Sequence, residues 1–327
     1  MQPFTFSRAR NEDEAIAQLR QSGSIAIAGG TTLVDLMKLN VEIPGHLVDI
    51  NALPLTRIES LPDGGLRIGA MVRNSDLAHD ATVMKKYPVL SQALLAGASA
   101  QLRNMATTGG NLMQKTRCYY YRDPEYAACN KRNPGSGCAA LEGFNRIHAI
   151  LGASEHCVAT HPSDMAVALV ALDATVHIKG PRGARQVSIA DFHKLPANTP
   201  HIETVLEPGE LITYVTLPNL PFAARSSYVK LRDRASYEFA LASAAAALDL
   251  DGRSIRAARV ALGGIATKPW RASEAERALV GGSANEQTFR AAAEAALQAA
   301  KPLRYNAFKV ELAKMAIVRA LEQAARA

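Results

Sequence analysis

All four cysteines of this 327-residue chain lie within forty residues, at Cys118, Cys129, Cys138 and Cys157. Disulfides that stabilise a whole chain would be spread along it, so the other residues must be held together by a hydrophobic core. Apolar residues make up 48% and charged residues 20%, which is typical of globular proteins. At roughly 150 residues per domain, the length indicates about two domains. We therefore predict a local function for the cysteine segment.

Charge and hydropathy exclude several classes of protein. Lys and Arg exceed Asp and Glu by 37 to 30, but the basic residues are scattered, and the tightest groups are pairs such as Lys85-Lys86. A nucleic-acid-binding arm would be a longer run, so no nucleic-acid partner is predicted. No apolar run reaches the roughly 18 residues of a membrane span. Acidic residues at 12–14 stand where a signal peptide has its apolar core, so we expect no signal of its own.

Hydrophobic periodicity divides the chain into three parts. The first, to about residue 55, reads as strand, glycine turn, helix and strand. The second, from about 56 to 220, mixes strands and helices around a long irregular loop at 115–158. Pro218 and Pro221 mark a probable boundary, after which residues 222–327 begin with strands and end in helices.

Two signals describe the C-terminal helices. Ser273 with Glu276 has the spacing of a capping box, in which the two residues satisfy each other's backbone amides. Phe308, Leu312 and Met315 follow at helical spacing. We expect them to form the buried stripe of the last helix.

Two glycine turns share one chemistry: Ala28-Gly29-Gly30-Thr31-Thr32 leaves a strand and opens a helix, and Thr107-Thr108-Gly109-Gly110-Asn111 repeats the pattern about eighty residues later. Glycines let the backbone approach a ligand, and free amides with threonine hydroxyls suit a phosphate or pyrophosphate. The pattern is neither the Walker loop nor the Rossmann fingerprint. Two plain tight turns with threonine caps remain the alternative.

The cysteines are separated by ten, eight and eighteen residues. Zinc sites usually contain a close C-x2–4-C pair, and common ferredoxin runs are also tighter. Nearby lysines and arginines would offset the negative charge of an iron–sulfur core. Spacing and surroundings leave open an iron–sulfur cluster, a zinc ion, and disulfides or free buried thiols.

Taken together, the glycine turns and the cysteine loop resemble the FAD-binding medium subunit of the molybdenum hydroxylases, the xanthine dehydrogenase and carbon monoxide dehydrogenase family. The resemblance covers essentially the whole chain. Its further motifs are Pro162-Ser163-Asp164-Met165, Gly209-Glu210-Leu211-Ile212, Leu217-Pro218, Tyr228-Val229-Lys230 and Leu262-Gly263-Gly264.

The resemblance implies an α+β fold with two domains. Residues 1–220 would form a two-lobed FAD-binding domain of the PCMH or vanillyl-alcohol-oxidase type, with lobes at about 1–55 and 56–220. Residues 222–327 would form a smaller α+β domain of the CO dehydrogenase flavoprotein C-terminal type.

The cysteine loop narrows the resemblance to the branch with an extra [4Fe–4S] cluster. Cys138–Gly143 and Arg232–Tyr237 look most similar to the flavin subunit of periplasmic aldehyde oxidoreductases, which oxidise aromatic aldehydes to acids. Flavin subunits of the 4-hydroxybenzoyl-CoA reductase or xanthine dehydrogenase type are the alternatives within the family.

Site residues follow from the same resemblance. Asp164 would accept hydrogen bonds from the ribityl side of FAD, with an N-cap as its alternative role. Ile212 would offer backbone contact to the isoalloxazine, Lys230 would favour the anionic reduced flavin, and Tyr237 would lie near the ring. Cys118, Cys129, Cys138 and Cys157 would ligate the [4Fe–4S] cluster. The FAD pyrophosphate and neighbouring groups would be held by Ile27, Ala28, Gly29, Gly30, Thr31, Thr32, Leu33, Thr107, Thr108, Gly109, Gly110 and Asn111.

The resemblance also implies partners. A large molybdenum-cofactor subunit would oxidise the substrate, a small [2Fe–2S] subunit would pass electrons to FAD here, and an external acceptor would receive them. The complex would be a heterotrimer or a multiple of it, in the periplasm by co-export with a signal-bearing partner, or else in the cytoplasm. Alternatives of other classes are a stand-alone flavoenzyme with a nicotinamide donor and a zinc-stabilised interaction module without flavin.

Overall fold

A computed structural model describes all residues from 1 to 327. The first fifty residues form a three-stranded parallel sheet in the order β1-β3-β2. Acidic residues fill the first turn of α1, and the Asn11 side chain accepts from the Glu14 amide to cap it. The elements are β1 (Thr5–Arg8), α1 (Glu12–Leu19), β2 (Ser24–Ile27), α2 (Leu33–Lys38) and β3 (His46–Asp49).

The middle part contains a five-stranded antiparallel sheet in the order β4-β5-β8-β6-β7. Its central helix, α9, is buried along its whole length and packs on α5 inside a core of 33 buried residues. The elements are β4 (Ile58–Ser60), β5 (Leu66–Gly69), α3 (Asn74–His79), α4 (Ala81–Lys86), α5 (Pro88–Ala96), α6 (Ala100–Met105), α7 (Thr108–Leu112), α8 (Tyr119–Arg122), α9 (Asp164–Ala171), β6 (Thr175–Gly180), β7 (Gly183–Ser188), α10 (Ile189–Phe192) and β8 (Leu211–Leu217).

The C-terminal part is a four-stranded antiparallel sheet in the order β12-β11-β10-β9, with helices on both faces. One of its two central strands, β10 (Ala242–Asp251), has alanine at half of its positions. Ala244 and Ala246 pack into the C-terminal core with α13, whereas Ala245 packs into the middle core with α9. The elements are β9 (Ser226–Leu231), β10 (Ala242–Asp251), β11 (Ser254–Gly263), β12 (Trp270–Arg271), α11 (Ser273–Leu279), α12 (Glu286–Leu297) and α13 (Phe308–Arg326).

The cysteine loop joins the middle and C-terminal parts. Leu151 forms a parallel bridge with Ala266, and the fully buried Lys309 on α13 donates to the carbonyls of Ile147, His148 and Gly264. These bonds satisfy buried carbonyls from both parts with one side chain. The end of the loop is therefore fixed to the C-terminal helix.

Local expectations for the C-terminal helices were wrong. Ala272, not Ser273, precedes α11, and Glu276 accepts from the Val260 amide and pairs with Arg271 instead of capping. On α13, Met315 is 63% exposed. The buried stripe is instead mostly alanine, and comprises Lys309, Ala313, Ala316, Ile317, Ala320, Leu321 and Ala324.

The mixed α and β architecture predicted from the sequence is confirmed. No helix combines the length and apolar character needed to cross a membrane.

Candidate functional site

A cleft of about 1530 Å³ lies where the three parts of the chain meet. This exceeds the roughly 300–1,000 Å³ of sites for drug-sized ligands, so it can take a larger molecule. Almost all of the expected binding residues line it, as does Tyr237. Thr108 is the exception, because it is fully buried on the far side of its segment.

The first glycine turn presents unused hydrogen-bond donors to this cleft. The backbone amides from Gly29 to Thr32 donate to no atom of the protein, and neither do the hydroxyls of Thr31 and Thr32. Gly30 has a φ of +70°, a conformation that favours glycine. Consecutive free amides of this kind form an anion-binding concavity. The turn therefore has the donors that a pyrophosphate requires.

Close packing holds the first turn against the segment before the second. A Cβ on Gly29 would lie 2.6 Å from the Met105 carbonyl carbon. Asn51 donates to the Ala28 carbonyl over 3.0 Å, and Arg73 donates to both Asn51 and the Met105 carbonyl. Sequence reasoning missed Asn51 and Arg73, because isolated polar residues outside a motif give no signal.

The second glycine turn is not a second open loop. Residues 108–112 form the short helix α7, with the Thr107 hydroxyl accepting from the Gly110 amide. The amides of Thr108 and Gly109 donate to carbonyls next to β5. The two turns therefore differ in structure: the first is open, whereas the amides of residues 108–111 in the second donate to protein atoms.

Asn111 links this helix to the start of α9. Its Oδ1 accepts from the Ser163 hydroxyl at 2.6 Å and from Gln114 at 2.7 Å, whereas its Nδ2 donates to no protein atom. Ser163 also caps α9 by accepting from the Ala166 amide. Asp164 is thus the first residue of α9 and not its N-cap, so the alternative role predicted for it is wrong.

Asp164 and Lys230 form a buried ion pair in the cleft. Their side chains are 8% and 3% exposed, and Lys230 Nζ lies 2.7 Å from Asp164 Oδ2. The other carboxylate oxygen accepts from the Tyr228 hydroxyl at 2.6 Å. Burial, followed by the Asp164 charge, raises the pKa of Tyr228, so this hydroxyl stays protonated and donates. The positive charge of Lys230 in the cleft is therefore neutralised by Asp164.

Ile212 and Tyr237 occupy different parts of the cleft. Ile212 is buried on β8 opposite Ile178, next to an irregularity in the strand pairing. Tyr237 is 57% exposed, with a φ of +53°, in the segment between β9 and β10. Such a φ is uncommon for a bulky residue.

The four cysteines share one small core with free thiols. Cys129 bridges Cys138 through the backbone, and the sulfurs of Cys118 and Cys157 are near enough to that of Cys129 for it to contribute to the raised pKa of each of these two thiols. The pKa of Cys118 is raised to about 12, and burial is the main cause. The side chains form no group of three or more His, Cys, Asp or Glu arranged to hold a metal ion. Binding of zinc or iron would therefore require deprotonation of these thiols.

The donor set nevertheless fits a thiolate-bound cluster. Backbone amides near the sulfurs of Cys118, Cys138 and Cys157 lower the pKa of each thiol against the effect of burial. His148, only 1% exposed, lies 3.1 Å from the Cys118 sulfur through Nε2. Amide and imidazole hydrogen bonds to sulfur are what tune iron–sulfur sites.

Two family sequence models match the chain. The FAD binding domain in molybdopterin dehydrogenase matches residues 2–220, and the CO dehydrogenase flavoprotein C-terminal domain matches residues 227–324. The chain belongs to the FAD-binding medium subunits of the molybdenum hydroxylases. It is thus an oxidoreductase subunit with an FAD-binding domain, as the sequence predicted.

Individual relatives support the assignment. The aldehyde oxidoreductase FAD-binding subunit PaoB of Escherichia coli (strain K12) is 52% identical over 326 residues, covering 99% of both chains. A putative xanthine dehydrogenase FAD-binding subunit from the same organism is 28% identical, covering 91% of this chain and 86% of its own. A crystal structure of quinoline 2-oxidoreductase from Pseudomonas putida 86 superposes with a TM-score of 0.77 at 27% identity, covering 99% and 98% of the chains.

Neither the family models nor these names mention a [4Fe–4S] cluster. The cluster therefore stays a prediction. A match to an FAD-binding domain over residues 2–220 argues against the flavin-free zinc module.

Proposed function

We propose that this chain is the FAD- and [4Fe–4S]-binding electron-transfer subunit of a molybdenum-containing aldehyde oxidoreductase. One observation carries the proposal: 52% identity over 99% of both chains to a subunit named for aldehyde oxidoreductase, against 28% to one named for xanthine dehydrogenase. The aldehyde type is thus favoured over the xanthine dehydrogenase type, and the 4-hydroxybenzoyl-CoA reductase type stays an alternative.

The cleft supports the FAD part of the proposal. The free amides from Gly29 to Thr32, with the two threonine hydroxyls, would bind the pyrophosphate. Thr107 to Asn111 would form the facing wall, where Asn111 Nδ2 is an unused donor. FAD, when bound, supplies a carrier that links two-electron and one-electron chemistry.

The Asp164–Lys230 pair would lie on the flavin side of the cleft. Each Asp164 oxygen already accepts one bond, from Tyr228 or from Lys230, and keeps a second lone pair that would accept from a ribityl hydroxyl. Lys230 would act on the flavin as one end of a dipole and not as an isolated charge. Ile212 would contact the ring through its backbone.

The cysteine loop supports the cluster part of the proposal. Four thiolates on a [4Fe–4S] core need sulfurs farther apart than the roughly 3.8 Å set by Zn–S bonds of about 2.3 Å in a tetrahedral site. Four free thiols in one core, with amides directed to three of them, supply the type and number of ligands that such a site requires. Whether the cluster would carry electrons or brace the loop is a separate question.

The rest of the assembly is also proposed. A large molybdenum-cofactor subunit would oxidise the aldehyde, and this chain would relay electrons from the [2Fe–2S] clusters of a small subunit to an external acceptor. We propose a domain division at residues 1–220 and 222–327. The compartment is predicted as periplasm by export with a signal-bearing partner, or else cytoplasm, which fractionation distinguishes.

The test is anaerobic purification of the full chain with flavin, iron and zinc analysis. We expect one FAD and about four irons per chain, with cluster absorbance that disappears in Cys129→Ser and persists in Ala127→Ser at an exposed neighbouring position. FAD without iron, after reconstitution with iron and sulfide, would remove the cluster and leave the flavin subunit. Zinc without flavin would overturn the whole proposal.

A further inference from the structure

A second, smaller cavity of about 240 Å³ lies beside the cleft, between the cysteine loop and residues 193–206. Cys157 and Pro162 also line it, but the motifs found in the sequence assign no ligand to it. Six polar residues define the feature, which we call the inner pocket: Lys115, Thr116, Lys131, His161, His193 and Glu203.

Two histidines of the inner pocket have ring nitrogens with no partner. His193 is 3% exposed, and its ring centroid lies 4.3 Å from that of His161. Neither His193 Nδ1 nor His161 Nε2 makes a hydrogen bond, although both atoms are fully buried. Buried polar atoms are nearly always paired, so these two indicate a missing partner.

The other nitrogen of each ring fixes its tautomer. His161 Nδ1 accepts from the Ser163 amide at 3.3 Å, so Nε2 carries the proton and is an unused donor. His193 Nε2 lies 2.9 Å from the Leu112 carbonyl and must donate to it, so Nδ1 is an unused acceptor. Both rings are neutral near pH 7, since burial lowers the pKa of each, that of His193 to about 4. The missing partner must therefore both accept and donate.

The charges of the inner pocket favour an anion. Lys131 and Lys115 both pair with Glu203, Lys131 at 2.8 Å, which leaves one excess positive charge among the three groups. Lys131 also donates to the Pro200 carbonyl at 3.0 Å, so its ammonium is held at the pocket wall. A small anion would gain from this charge.

We propose that the inner pocket binds a small anion that also carries a hydroxyl hydrogen, such as hydrogen phosphate or an α-hydroxy acid anion. One anionic oxygen would accept from His161 Nε2, and the hydroxyl would donate to His193 Nδ1. An anion without a hydroxyl hydrogen would place an oxygen lone pair against the His193 lone pair. The pocket would therefore discriminate by the hydroxyl and not by charge alone.

The test compares matched anions by calorimetry at pH 7 on the full chain saturated with FAD, so that the first glycine turn is occupied. Phosphate, which keeps a hydroxyl hydrogen at this pH, is compared with sulfate, and glycolate with acetate. We expect the hydroxylated member of one pair to bind at least about tenfold more tightly than its partner. The anion without a hydroxyl would leave the buried His193 Nδ1 unpaired, and this difference is the cost of an unpaired buried group. The pair that shows the effect identifies the anion class.

A variant locates the binding. His193→Phe removes the acceptor and should abolish the preference, whereas His79→Phe, at an exposed position, should keep it. If His193→Phe does not fold, a ¹⁵N shift of His193 Nδ1 on adding phosphate or glycolate to the unmodified chain serves instead. Equal binding within both pairs, no binding of either hydroxylated anion, or a preference that survives His193→Phe would overturn the proposal.

Discussion

Replacing Gly29 by alanine should loosen FAD binding by forcing the two walls of the cleft apart. Contacts of Cβ atoms essentially never fall below 3.0 Å, and the new Cβ would lie 2.6 Å from the Met105 carbonyl carbon and closer to its oxygen. The separation must therefore grow by at least 0.4 Å. Both neighbours are backbone, held by Asn51 and Arg73, so no side chain can rotate away.

Two magnitudes follow. Overpacking of this kind costs about 1–3 kcal/mol, which would lower Tm by roughly 1.5–4.5 °C in a chain of this size. Misplacing one amide–phosphate hydrogen bond costs about 1.5–3 kcal/mol, which raises the Kd for FAD by roughly 10- to 150-fold.

The assay is flavin fluorescence titration of the apo-chain, with thermal unfolding recorded in parallel. Gly45→Ala is the matched control, because a Cβ there meets nothing within 4 Å. We expect the control to behave as the unmodified chain. If Gly29→Ala kept both the FAD affinity and the Tm, the argument from close approach would be wrong.

Three further predictions concern buried charges. Lys309→Met should lower the free energy of unfolding, measured in urea titrations, by about 3 kcal/mol, because three carbonyls lose their donor. The control Lys301→Met, at an exposed position, should change it by less than about 0.5 kcal/mol. Equal effects of the two substitutions would contradict this prediction. Burial lowers the pKa of His193 to about 4, so as the pH falls the unfolded chain binds a proton at this residue before the folded chain does. The free energy of unfolding should therefore drop by about 2 kcal/mol between pH 7 and pH 5. The drop should be smaller in His193→Phe. Lys230→Met should lower the free energy of unfolding by about 3–5 kcal/mol, because it leaves the Asp164 carboxylate buried and unpaired. Adding Asp164→Asn to this variant should recover part of the lost stability. If the two substitutions instead lowered stability additively, the pair would not be coupled.

Motifs in the sequence predicted the residues of the cleft better than their roles. The glycine turns were found because glycine and threonine mark turns at any position. The structural difference between the two turns was not predicted, because it depends on bonds that turn Thr108 inward toward Val72, more than thirty residues earlier. The Asp164–Lys230 pair joins residues 66 apart, and no local pattern encodes such a distance.

Tertiary packing overrides local preference in the C-terminal part. Residues 242–247 are mostly alanine, which favours a helix, yet they lie in the strand β10. On α13, Met315 was expected in the core from its spacing, but the buried face consists mostly of alanines, since β10 and α13 pack closely.

The alanines of β10 limit how this sequence can change over time. Neighbouring positions such as Ala244 and Ala245 face different cores, so a methyl group gained at one displaces α13 and at the other displaces α9. Interiors are packed too densely to absorb such a gain locally. A larger residue in β10 can persist only with a smaller one in the facing helix, so the strand and its two helices should vary as a set, each face with its own partner.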